Sequence, residues 1–125
     1  MISKAIYSIL SSDAELASMG VDISPLWTDT VKKVPMMTYA VDDDPQFTKT
    51  ESVGYTSEMA FMIASDSYLE MNTIGFRLID LMDKYSGTIE GCDIRSIDLM
   101  RAEEERDKTT GLYFKSIIFT SVWNR

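Results

Sequence analysis

The chain has 125 residues, 45% of them hydrophobic, and a formal net charge of -8. That length fits one domain with its own core, and the apolar fraction excludes a chain that is disordered throughout. The negative net charge argues against a nucleic-acid-binding protein that contacts phosphates through a basic face. It is compatible with an acidic surface along which DNA passes without binding. The chain has no histidine and one cysteine, which excludes a histidine-assisted nucleophile and argues strongly against a structural zinc site.

The N-terminal stretch is too short and too polar to predict a signal peptide. Residues 2–10 include Lys4 and run into polar residues without a cleavage-like site. No apolar stretch approaches the roughly 20 residues of a membrane span. The lone Cys92 is typical of a reducing cytoplasm and is interpreted as a small hydrophobic core residue. We therefore expect a soluble protein made in the cytoplasm.

The first dozen residues carry apolar side chains at helical spacing and predict an amphipathic helix. Ser12 or Asp13 can cap a further helical turn, which Gly20 ends. Residues 21–29 contain a short extended piece around Leu26 and Trp27, preceded by Pro25, that predicts only a weak strand.

The middle of the chain predicts two further strands. Residues 36–41 form the first, entered through Pro35, where a missing amide costs little. The polar run 42–50 includes three consecutive aspartates and predicts an exposed loop or the tip of a hairpin. Residues 53–63 alternate and predict the second strand, one face of which would carry Val53, Tyr55, Met59, Phe61 and Ile63.

After Ser65 the apolar period changes to that of a helix, which Asp66 or Ser67 can cap. The apolar stripe of this helix consists of Met71, Ile74, Gly75, Leu78, Ile79 and Met82. Gly75 costs roughly 1 kcal/mol relative to alanine inside a helix, so its position predicts close packing of helix on sheet. Gly87 ends the helical region.

The C-terminal third predicts two strands joined by the charged connection 101–110. Residues 92–100 form the first, and a β-bulge near Arg95 and Ser96 would explain its change of apolar phase. The last strand, 112–123, is apolar on both faces, which predicts a central strand with something packed on each side. One face would carry Leu112, Phe114, Ile118 and Val122, and the other Tyr113, Ile117, Phe119 and Trp123.

The predicted order is helix, three strands, helix and two strands, in a single domain over residues 1–125. Two helices and four or five strands must bury their apolar faces together. This predicts an α+β fold of two layers, with a mixed or antiparallel sheet packed against two helices.

Two acidic runs, Asp42–Asp44 and Glu103–Glu105, are the candidates for chemistry. Successive residues of an extended chain point in opposite directions, and calcium loops need alternating ligands, a central glycine and a final glutamate. Three aspartates in a row therefore do not converge on one ion, and the calcium-loop pattern is absent. Solvated surface is the favoured interpretation of both runs, and the second run is also a candidate protein contact. The chain has no glycine-rich phosphate loop, and no carboxylate pair stands out. We therefore expect a non-enzyme without catalytic residues, metal or cofactor.

Several local signatures resemble the tail-terminator, or tail-completion, proteins of long-tailed bacteriophages. The resemblance covers nearly the whole chain, and the order of the signatures carries it. They are Asp13-Ala14-Glu15-Leu16 after the first helix, Val34-Pro35-Met36-Met37-Thr38-Tyr39, the strand from Tyr55 to Ile63 with Ala64-Ser65-Asp66, and the aromatic final strand from Gly111 to Trp123. Met36 departs from the pattern, since an aromatic residue often follows the proline.

The resemblance implies a structural role in the virion. Proteins of this family form a ring, usually a hexamer, that stops polymerisation at the head-proximal end of the tail tube. The implied partners are further copies of the chain, the tail-tube protein and the head–tail connector, with DNA passing through the ring without sequence-specific binding and no membrane. The implied location is the host cytoplasm during assembly and then the tail.

The family has no catalytic motif, so no residue is assigned by identity. The polar loops supply the candidate protein contacts, which are Asp42, Asp43, Asp44, Phe47, Lys49, Glu103, Glu104, Glu105 and Arg106. Two alternatives stay open. One is a neck or head-closure connector, and the other is a small metal-dependent enzyme that uses both acidic runs.

Overall fold

The computed structural model of the chain describes residues 2–25, 34–47 and 52–124. The helices are α1 (Ile2–Ser11), α2 (Ala14–Ser18) and α3 (Tyr68–Met82). The strands are β1 (Asp22–Pro25), β2 (Met36–Phe47), β3 (Ser52–Ser65), β4 (Gly87–Ile89), β5 (Cys92–Arg106) and β6 (Tyr113–Asn124). No helix in the described ranges is long and apolar enough to cross a membrane.

The helix starts follow the predicted capping chemistry. Asp13 is the N-cap of α2, where its carboxylate accepts a hydrogen bond from the Leu16 amide at 3.0 Å. Ser67 caps α3 in the same way, accepting from the Glu70 amide at 3.2 Å. Each cap satisfies an amide that has no partner within its helix.

The six strands form one sheet in the order β1-β2-β3-β6-β5-β4. β1 runs parallel to β2, and the other neighbours are antiparallel.

The α+β class is confirmed, but the expected four or five strands and two helices were too few. β4 was missed because a three-residue strand is too short to show an alternating pattern. The further capped turn that was predicted after Asp13 is a helix of its own, α2. The weak strand expected around Leu26 and Trp27 lies outside the described ranges, and β1 ends at Pro25, just before it.

Both charged connections were predicted wrongly, because they are largely strand. β2 continues through Asp42 to Phe47, opposite Ser52 of β3, and β5 continues through Glu103 to Arg106, opposite Tyr113 of β6. Backbone hydrogen bonds make the strand pairing, so a strand does not need alternating apolar side chains. The end of β5 is exposed on both faces and shows no such alternation. The bulge predicted near Arg95 is confirmed, and a second register shift lies between Leu99 and Arg101.

The core lies between the helices and one face of the sheet. Phe61 sits at its centre, with its ring centroid 5.8 Å from that of Tyr39 and 5.6 Å from that of Phe119. The strand residues of the core all lie on this helix-covered face: Met37, Tyr39, Met59, Phe61, Ile63, Cys92, Ile94, Ile97, Ile117, Phe119 and Trp123. The burial of this apolar surface, which contributes about 25 cal/mol per Å², is the main term that stabilises the fold.

The expectation that the last strand is covered on both faces is wrong. On the face away from the helices, Phe114 and Ile118 are only half-buried, and Val122 is 40% exposed. These side chains contribute little to the core and form part of an open sheet face.

The opposite face of β6 does reach the core. Trp123 is 3% exposed, stacks on Tyr55 at 4.5 Å between ring centroids, and donates its indole N–H to the Ser57 hydroxyl at 2.7 Å.

Close packing at Gly75 is confirmed. A Cβ atom placed there would lie 3.0 Å from Cδ of Lys115, on the strand directly beneath α3. The absent side chain lets the helix approach β6 closely enough for the lysine stem to pack against its backbone.

Candidate contact surfaces

The β2–β3 hairpin places the first acidic run in a strand. Asp42, Asp43 and Asp44 pair with Glu58, Ser57 and Thr56. Consecutive positions of a strand alternate between the two faces of a sheet. Asp42 is exposed. Of the other candidates in this segment, Phe47 closes β2 opposite Ser52, and Lys49 lies outside the described residues.

The second acidic run lies on the arm formed by the ends of β5 and β6. Glu103, Glu104, Glu105 and Arg106 are all exposed. Glu103 lies 3.8 Å from Arg101, and because both side chains are largely in water this ion pair contributes little stability. The run is available for contacts with other proteins, and its ion pair with Arg101 adds little to the stability of the fold.

The tip of this arm is an ordered turn. The Asp107 carboxylate accepts hydrogen bonds from the Thr109 amide at 3.0 Å and the Thr110 hydroxyl at 2.9 Å. These bonds, of which the one from the Thr109 amide has the larger effect, lower the pKa of Asp107 below its ordinary value. Gly111 follows with a φ of 76°, a conformation that glycine adopts without steric cost. The arm therefore presents its charges from a fixed shape.

The two acidic runs lie on opposite sides of the sheet. β3 and β6 separate β2 from β5, so the runs are at least three strand spacings, about 14 Å, apart. They are also offset along the strands, because the register that begins at Asp42 reaches Asp98 of β5 and not Glu103. The structure does not bring Asp42 and Glu103 together. Within the described residues, no group of three or more Cys, Asp or Glu side chains is arranged to hold a metal ion.

Aromatic contacts join the β5–β6 arm to α3. The Arg106 guanidinium lies 5.4 Å from the ring centroid of Tyr113, whose edge meets the ring of Tyr68 at 5.6 Å. Two residues further along β6, Lys115 is 7% exposed, and its ammonium donates to the side-chain amide oxygen of Asn72 at 2.7 Å. The arm and the helix therefore form one continuous surface.

Sequence reasoning missed the outward face of α3. Tyr68 is 51% exposed, Leu69 77% and Phe76 62%, which are high values for large apolar side chains. The signal was present in the sequence, because Leu69 and Phe76 are seven residues apart and lie opposite the stripe that faces the core.

No protein-family model and no curated protein matches the chain. A solved structure does share its fold. It is a chain of the structure titled "Virion of native gene transfer agent (GTA) particle", with a TM-score of 0.80 and 14% sequence identity. The match covers 96% of this chain and 92% of that one. At this identity the likeness establishes a common fold.

Proposed function

We propose that this chain is a structural protein of a phage-like virion, and that it caps the head-proximal end of the tail tube as a ring. In this role it ends tube polymerisation and forms the surface that joins the tail to the head. The observation that carries the proposal is the fold shared with a chain of a gene transfer agent virion along nearly the full length of both chains.

A tube end calls for a cyclic cap, and head-to-tail contacts between identical subunits close into rings when the rotation closes. We propose six copies, as the family resemblance implies. The net charge of -8 suits a ring through which DNA passes, because a wall rich in Lys and Arg would hold the phosphates. The further proposed partners are the tail-tube protein and the head–tail connector.

Disruption of the gene in a particle-producing strain tests the role directly. Loss of a cap that ends polymerisation gives unjoined tubes of irregular, extended length under the electron microscope. Tails of normal length beside unjoined heads that leak DNA would instead assign the chain to head closure. Mass measurement of the purified protein and imaging of tail ends test the ring, and a closed two-fold dimer in both settings would contradict it.

The exposed acidic run of the β5–β6 arm is the proposed docking contact within this role. Glu103→Lys together with Glu105→Lys should leave thermal melting nearly unchanged, since substitutions at exposed sites usually shift stability by less than about 0.5 kcal/mol each. The same double variant should abolish head–tail joining.

A matched control reverses two exposed charges away from the arm, Asp22→Lys on β1 with Asp93→Lys at the opposite end of β5, and should join heads to tails normally. Normal joining in the Glu103 and Glu105 variant would assign the arm to solubility alone.

A further inference from the structure

The outer edge of β5 is closed over the first half of the strand. β4 pairs with Cys92–Ile94. Further along, the Ile97 carbonyl oxygen accepts a hydrogen bond from the Lys84 amide at 2.7 Å. The Leu99 amide donates to the Asp83 carboxylate at 2.9 Å. These bonds satisfy backbone groups that an edge strand would otherwise present to other chains.

The second half of this edge, residues 101–106, has no such partners within the described ranges, and we call it the open edge. At the tip of the arm, the Asp107 amide donates across the turn to the carbonyl oxygen just before β6, at 2.9 Å. Backbone groups of successive residues point to opposite sides of an antiparallel strand. Ala102, Glu104 and Arg106 therefore direct their amides and carbonyl oxygens away from β6. The second register shift of β5 accounts for the change of the outward positions from odd to even residues.

Two glutamates of the open edge stand where an added strand would meet them most closely. Glu103 and Glu105 are exposed and pair with Ser116 and Phe114, on the sheet face away from the helices. An added antiparallel strand would face both glutamates at non-hydrogen-bonded positions, where opposing side chains are closest. Opposite charges at such positions stabilise strand pairing, and like charges oppose it.

The described cations near the open edge leave these two glutamates largely uncompensated. Arg106 lies over an aromatic ring of β6 and Lys115 is bonded to α3, both on the helix-covered face. Lys108 belongs to the turn beyond the strand. Arg101 shares the face of the two glutamates, 3.8 Å from Glu103, in an exposed ion pair of little strength. The outward face of the open edge therefore keeps a surplus of negative charge.

We infer that the open edge binds an extended, basic segment of a partner protein. The segment adds to β5 as an antiparallel strand, with Lys or Arg opposite Glu103 and Glu105. Backbone hydrogen bonds supply the affinity, and the two cations fix the register. A second copy that offered its own open edge would place glutamate against glutamate. The inference specifies how the docking contact proposed for the arm is made, and it rests on that proposal for the place of the partner in the virion.

The test uses fluorescent peptides of about nine residues that alternate lysine with valine or threonine. One reference peptide has glutamate in place of every lysine. Two further peptides keep the lysines and are N-methylated, one on the valine and threonine amides and the other on the lysine amides. In the inferred arrangement the valine and threonine amides face β5, whereas the lysine amides point to solvent.

Anisotropy titration of the intact protein should show binding of the lysine peptide. The glutamate peptide and the peptide methylated on valine and threonine should each bind more weakly by about 10-fold or more. Methylation of the lysine amides should leave the affinity within about 3-fold. Equal losses for the two methylated peptides would overturn strand addition. Absence of binding by the lysine peptide would also overturn it and leave the glutamates as protection of a free edge.

Glu104→Pro tests the same contact from the side of the protein. The Glu104 amide points away from β6, so proline removes a donor to the partner strand and none to β6. This variant should weaken binding of the lysine peptide by about 10-fold or more. Glu104→Gln, the matched control that keeps the amide, should stay within about 3-fold. Equal affinities of the two variants would refute the inference, and if the proline variant fails to fold, the methylated peptides decide with the unaltered protein.

The yield of joined particles separates the inference from the proposed function. Glu104→Pro should block head–tail joining, as the reversal of Glu103 and Glu105 should. Normal joining in Glu104→Pro beside a block in the charge reversal would refute strand addition and leave the docking role of the arm intact. Normal joining in both would contradict the docking role itself, and the peptide titrations would then decide strand addition separately.

Discussion

The sharpest stability prediction concerns Trp123, two residues from the end of the chain. Truncation to alanine should destabilise the protein by about 3–5 kcal/mol, the usual cost of removing a buried Phe or Trp side chain. The structure justifies the upper part of that range, because Trp123 is 3% exposed, stacks on Tyr55 and donates to Ser57. An aromatic pair contributes about 0.5–1.5 kcal/mol beyond its buried area, and a hydrogen bond about as much.

Trp123→Phe separates these contributions. It keeps most of the buried ring and its stacking partner but removes the indole N–H, so we expect a cost of about 1–2 kcal/mol. Urea unfolding followed by circular dichroism measures both variants, at several protein concentrations so that any subunit dissociation is seen. A cost below about 1 kcal/mol for Trp123→Ala would show that the last strand is peripheral, contrary to its place in the core.

Three further predictions follow from single contacts. Arg77 first, then the Leu16 amide, lowers the pKa of Asp13 below its ordinary value of 3.8. The ionised side chain therefore stabilises the fold fully above that value, and the contribution is lost as pH falls through the lower folded pKa. Asp13→Asn, which keeps a capping side chain, should be less stable than wild type at pH 7, and urea unfolding should show the gap closing below about pH 4. Gly54 has a φ of 134°, and a Cβ there would lie 2.5 Å from the carbonyl oxygen of Trp123. Gly54→Ala should therefore cost more than about 2 kcal/mol by thermal melting, against about 1 kcal/mol for Gly91→Ala, which has positive φ but open space. Lys115→Met should keep the packed stem and change stability by less than about 1 kcal/mol in the same assay, whereas Lys115→Ala should cost about 2 kcal/mol or more.

The parts of the fold that could be predicted from sequence are those whose side chains meet the core. The stripe of α3 and the alternation of β3 were correct because each apolar face packs on the other. The bulge near Arg95 was also predictable, since a slipped register moves every following residue to the other face and the change of phase is visible in the sequence.

The ends of β2 and β5 could not be predicted in the same way. Their pairing is fixed by backbone hydrogen bonds to β3 and β6, and the arm of β5 is exposed on both faces. The exposed end of β5 therefore has no apolar alternation that could reveal it as a strand. Their polar composition predicts loops. A hairpin whose other half packs on the core can nevertheless continue as a pair of polar strands.

The candidate contacts show the same limit. Composition pointed to Glu103–Glu105 as exposed, which holds, but their place on a strand opposite β6 could be known only from the pairing. The exposed pair Leu69 and Phe76 went unnoticed because the apolar residues of α3 that face the core outnumber it. An apolar pair seven residues apart on the polar side of a helix is the signal that would have found it.

The free edges of β2 and β5 limit how copies of this chain can meet. β1 pairs with β2 only over Met36–Tyr39, and β4 pairs with β5 only over Cys92–Ile94. In the described residues, the outer edges of β2 and β5 therefore have no neighbouring strand beyond these segments. Such edges can pair with any extended chain. Both carry consecutive carboxylates, and joining them between copies would bring like charges within one strand spacing. The acidic composition of these edges therefore disfavours a contact between copies in which β2 of one pairs with β5 of the next.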